Sequence, residues 1–71
     1  SVEGLAIMKE DLPDGDGKKI LIAANFGTDE VCLSLKNIQK ITVLVSNMKE
    51  VFYQGGELRL RSCEAVVLEI I

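Results

Sequence analysis

The chain has no histidine and no tryptophan, one proline, two cysteines and three aromatic side chains among its 71 residues. Each shortage removes a class of function. Without histidine no imidazole can act as a general base, activate a thiol or bind a metal near neutral pH. Zinc needs four convergent thiolate or imidazole ligands, or three with a carboxylate or water, and Cys32 and Cys63 lie too far apart in sequence to suggest such a set. Two cysteines are also too few for a disulfide scaffold, so free thiols in a reducing compartment, the cytoplasm, are expected. The aromatic set is Phe26, Phe52 and Tyr53. One exposed tyrosine would not make a stacking platform for sugar, and Phe26 reads as core.

Other absences bear on partners. No apolar run approaches the roughly 18 residues of a membrane-spanning helix, and no basic-then-apolar leader opens the chain. The eight Lys and Arg are scattered among eleven Asp and Glu, for a net charge of −3. That leaves no basic footprint for nucleic acid. Neither membrane nor nucleic acid is expected as a partner, and no cofactor or metal.

What is present is the composition of a folding chain. At 48% hydrophobic and 27% charged, it lies far from the corner where disorder prevails. Its length allows one small domain, 1–71, burying about 60% of its unfolded surface. A start without methionine and an end on a strand pattern read as a domain excised from a larger protein.

Strand signals dominate. Leu5 and Ile7 alternate with Ala6 and Met8 between Gly4 and Lys9. "EDLPDGDGKK" follows as a turn, because Gly permits positive φ and Asp bonds its own backbone. Lys19 to Phe26 sets Ile20, Ile22, Ala24 and Phe26 on one face and Leu21, Ala23 and Asn25 on the other. After "GTDE", Glu30 to Leu35 alternates, and this pair of runs reads as a β-hairpin. Ile41 to Val45 is read as a strand because β-branched residues suit a pleated sheet, although Ile38, Ile41, Val45, Met48 and Phe52 also fall at helical spacing. "YQGGEL" predicts a tight turn before a strand at Glu57 to Leu60. The last strand runs from Glu64 to Ile70, with Glu64, Val66, Leu68 and Ile70 on one face. About six to eight short strands predict an all-β domain, an antiparallel sandwich or a partly closed barrel.

Candidate chemistry is thin. Cys63 and Glu64 invite a reactive-thiol reading, with Arg61 near enough to favour thiolate. Neighbouring strand residues point to opposite faces, however, and no third group orients the pair. Asp11, Asp14 and Asp16 suggest calcium, but aligning Asp14 and Asp16 with the calcium loop puts Leu12 and Ala23 at its terminal ligand positions. Gly15 and Gly17 lack the spacing of a phosphate loop. Glu64 and Glu69 fall on opposite strand faces and cannot flank a glycosidic bond.

One feature points to a partner. The strand Ile20 to Phe26 is apolar on both faces, and the last strand nearly so, whereas an antiparallel sandwich usually leaves one face of each sheet polar. The outer face is therefore expected to be covered, by a neighbouring domain or by weak self-association.

Two segments carry a resemblance. "KKILIAANFGTDEVCLSL" resembles a stretch in the C-terminal β-domain of α-amylase-family glycoside hydrolases, the oligo-1,6-glucosidases and α-glucosidases among them. There an apolar strand ends in Asn-Phe, here Asn25 and Phe26, before a polar turn and an alternating strand. "ITVLVSN" is similar to the family's next strand. "LRLRSCEAVVLEI" is similar to its closing strand through Leu58, Leu60, Glu64, Ala65, Val66 and Leu68. It departs where Ser62 replaces a usual proline and Cys63 a usual aromatic. The resemblance implies an all-β, antiparallel Greek-key β-sandwich, non-catalytic and C-terminal, lying on the (β/α)8 catalytic barrel of the same parent chain. The family's catalytic carboxylates belong to that barrel, so none is carried over. Asn25, Phe26, Glu64 and Ala65 take structural roles on this reading, Asn25 by bonding the adjacent turn and Glu64 by accepting from a turn or pairing with Arg59 or Arg61. The alternative is an independent carbohydrate- or protein-binding sandwich module.

Overall fold

The computed structural model describes residues 4–13 and 16–71. Asp14 and Gly15, and with them the central part of the calcium and phosphate-loop readings, lie outside the described residues. Those described form seven strands: β1 (Leu5–Asp11), β2 (Lys19–Asn25), β3 (Val31–Ser34), β4 (Ile41–Ser46), β5 (Phe52–Gln54), β6 (Glu57–Leu60) and β7 (Ala65–Ile70). All pairing is antiparallel, in a four-stranded sheet ordered β1-β2-β7-β4 and a three-stranded sheet ordered β3-β6-β5. Among the described residues, no helix is long and apolar enough to cross a membrane.

The core follows from period-two alternation on the central strands. Leu21 pairs with Leu68 and Ala23 with Val66 across β2 and β7, and these four side chains are buried with Ile70. From the other sheet β6 contributes Leu58 and Leu60. Glu57 and Arg59, between them in sequence, are exposed. Two inward faces thus close one sandwich-like core, and the half-buried Leu5, Leu33, Ile41 and Tyr53 pack around it.

Three expectations need correction. First, β2 and β3 do not form a hairpin. β2 pairs with β1 and β7, whereas β3 pairs with β6 in the other sheet. The segment between them crosses the sandwich, tied down by the Asn25 side chain, which donates to Asp29 O at 2.8 Å and accepts from Gly27 N at 2.9 Å.

Second, Phe26 is not core; it is 74% exposed. β2 offers two apolar faces, and the structure turns the smaller one inward. Leu21 and Ala23 fit beneath Leu58 and Leu60, while Asn25 on that face finds buried partners. Phe26, of opposite parity, is left outside.

Third, Cys63 and Glu64, read as neighbouring residues of a strand, lie in a turn just ahead of β7, with Glu64 N bonded to Arg61 O at 3.1 Å and Cys63 at φ 62°.

β5 is an addition to the sequence reading. Gly55 and Gly56 have φ of 61° and 77°, and Gln54 pairs with Glu57. Two left-handed residues in a two-residue loop give a type I′ hairpin, which pairs Tyr53 with Leu58.

Candidate functional site

The most organised polar cluster lies where the β6–β7 turn meets the β2–β3 crossing. Asn25 is buried at the end of β2. Its amide nitrogen points at three carbonyls, those of Asp29, Leu60 and Arg61, at 2.8, 3.1 and 3.2 Å. Its backbone N–H donates to Glu64 O at 2.8 Å. One side chain thus ties together the β2–β3 and β6–β7 segments, each of which crosses between the sheets.

Glu64 forms the second half. Its carboxylate is fully buried, and Oε1 accepts from Arg61 N at 2.8 Å and Arg61 Nε at 3.0 Å. The guanidinium also donates to Glu50 O and lies 4.4 Å from the Phe52 ring centroid, a cation–π distance. The bond to Glu64 raises the Arg61 pKa above its ordinary value, so the guanidinium keeps its charge. A buried carboxylate costs several kcal/mol of desolvation unless it is paired and bonded, and here both conditions are met.

Two ties were not anticipated. Asn47 accepts from Ala65 N at 2.9 Å and donates to Cys63 O at 2.7 Å, joining the end of β4 to the same turn. Ser62 Oγ donates to Gly27 O at 2.7 Å. "SN" after "ITVLV" signalled a turn, but nothing in its local sequence indicated which distant backbone Asn47 would bond. Of the residues marked by sequence, Asn25 and Glu64 converge here. Ala65 joins them only through its backbone, and Phe26 points away.

This cluster is a poor reaction centre. Among the described residues, no buried side-chain polar atom lacks a partner, so no group is held ready for a substrate. Arg61 is engaged by Glu64 and not by a thiol. Cys32 and Cys63 are exposed and unpaired. Among the described residues, no group of three or more His, Cys, Asp or Glu could hold a metal.

Two surface features remain. On the outer face of the four-stranded sheet, Met8, Ile22, Val67 and Val45 stand in register across all four strands. Met8 and Val45 are 55% and 62% exposed. Leu44, at the β4 register shift, and Phe26 extend this patch. The second feature is a shallow groove of about 490 Å³ beside β5, lined by Phe52, Tyr53, Gln54, Glu57 and Arg59.

No family model, no curated protein and no solved structure matches the chain.

Proposed function

We propose that the chain is a non-catalytic C-terminal domain of an α-glucan-acting glycoside hydrolase, packing on its (β/α)8 barrel and stabilising it. The observation that carries this reading is the apolar outer face of the four-stranded sheet. Exposed apolar side chains scattered singly need no explanation, but a row in register across four strands does. Strand spacing of about 4.8 Å and a rise of about 3.3 Å per residue give that row, with Ala6, Ala24 and Ala65 beside it, an extent on the order of 250 Å². A standard specific interface takes about 800 Å² per partner. Two copies meeting through this face alone would associate only weakly, whereas a larger neighbour can cover the face and also hold its rim.

The remaining features support the same reading. The polar cluster is spent on joining turns, which suits a support and not a catalyst. Asn25 and Glu64, the positions that carry the family resemblance, are the residues at its centre. We read the connectivity as Greek-key, since β7 follows the β5–β6 hairpin and returns to lie beside β4. Cytoplasmic residence agrees with two unpaired surface thiols.

The groove beside β5 supports the second reading, an independent sugar-binding module. Its weakness is that Arg61 already stacks on one face of the Phe52 ring, which leaves a sugar only the other. Titrating the isotope-labelled chain with maltooligosaccharides to millimolar concentration decides between them. No saturable amide shift is expected. Saturable shifts at Phe52, Tyr53 and Arg59 would replace the support with the binding module.

A further inference from the structure

Among the described residues, the four-stranded sheet ends at β1, which pairs with β2 on one side only. In an antiparallel pair, hydrogen-bonded residues alternate with non-bonded ones. Phe26 N donates to Gly4 O and Leu12 N to Lys18 O, both in the same register as the β1–β2 ladder. Even-numbered residues of β1 therefore bond β2, and the N–H and C=O groups of Leu5, Ile7, Lys9 and Asp11 point away from the sheet. This is an unprotected ladder edge as long as any strand in the molecule.

Beneath that edge the two sheets part. Ile7 pairs with the buried Ala23 and Lys9 with the buried Leu21, so both face inward, yet Ile7 is 53% exposed. They line one wall of a slot of about 220 Å³, with Leu33, Leu35, Lys36 and Ile38 on the other. Among the described residues, the slot is lined by apolar side chains apart from Ser34 and two ammonium groups, with no carboxylate. Among the described residues, neither Lys9 nor Lys36 has an ion-pair partner.

We propose that the β1 edge and this slot receive an extended segment of a partner protein, added to the sheet with a carboxylate opposite Lys9 and an apolar side chain opposite Ile7. Main-chain bonds to Ile7 and Lys9 supply affinity, and alternate side chains entering the slot supply selectivity. The charge pattern selects against a second copy of this chain. The register that pairs the whole of β1 with its own copy centres on Met8, sets each Lys9 opposite the other copy's Ile7, and places the two Lys9 ammonium groups on one diagonal. Like charges within reach across strands oppose such pairing, while an acidic strand is drawn to the same place. This surface is separate from the outer face used in the preceding proposal, and either can fail without the other.

The test uses two capped heptapeptides of alternating threonine, with valine and glutamate at the inward positions of one and valine and lysine at those of the other. Amide exchange and chemical shifts of the labelled chain are followed during titration. The acidic peptide is expected to bind about tenfold more tightly than the basic one, the scale set by matched against like-charged cross-strand pairs. It is expected to protect the amides of Leu5, Ile7 and Lys9 and leave those of Ala6, Met8 and Glu10 unchanged. Lys9→Glu, at an exposed side chain, is expected to reverse the preference, and Lys9→Gln to bring it near parity. Equal affinity for the two peptides, or no saturable change at the free-edge amides, would overturn the proposal.

Discussion

Asn25→Ala is expected to lower the unfolding free energy by about 3–4 kcal/mol, because it strips a partner from three carbonyls and one N–H, in one buried and three part-buried bonds. A chain of this length has a total stability on the order of 4–10 kcal/mol. The loss corresponds to a fall in melting temperature of roughly 12–32 °C. Asn25→Asp, nearly identical in shape, is expected to be no milder, since a carboxylate cannot donate to Asp29, Leu60 and Arg61. Phe26→Ser, one residue later, is expected to change stability by less than about 0.5 kcal/mol. Urea unfolding of the three variants measures this directly. A benign Asn25→Asp would show that volume, and not donation, matters at this position.

Leu58→Ala is expected to cost about 3–5 kcal/mol, the range for emptying a fully buried leucine site. Leu58 is completely buried, with Leu33 on one side of it and Tyr53 on the other in the three-stranded sheet. Only three strands back it there, and two of them are edges, so the sheet has little material with which to refill the cavity. The variant is expected to be largely unfolded at 37 °C by circular dichroism. Retention of a cooperative transition within about 1 kcal/mol of the parent would mean that the two sheets do not share this core.

The contrast between Asn25 and Phe26 also marks the limit of reading this chain by alternation. Period two divided β2 into two faces correctly but could not say which face goes inward. Hydrophobic size favoured the face with Phe26. The buried face is instead the one holding an asparagine, since partners for its amide come from turns about thirty-five residues away. Strand pairing was hidden for the same reason. The runs that became β2 and β3 were legible one by one, but their partners β7 and β6 come from the other end of the chain. The inward face of β7 was legible because Val66, Leu68 and Ile70 have no competing set of equal size opposite them. Gly55-Gly56 was legible as a turn, although the three residues of β5 were too few to register as a strand. Of the polar cluster, the local halves could be anticipated, Asn25 with its following turn and Glu64 with Arg61. The bonds from Asn47 and Ser62 could not, because they depend on the sheets already being together.

The row of Met8, Ile22, Val67 and Val45 contributes little to the core, and its proposed purpose is to meet a neighbour. Methionine oxidation footprinting reads that directly at Met8, in the isolated chain and in the longer product that the proposal requires. The proposal predicts rapid labelling of Met8 in the isolated chain and at least about tenfold slower labelling in the longer product. Equal labelling of Met8 in both would mean that this face stays open to water, and the proposed packing role would be wrong.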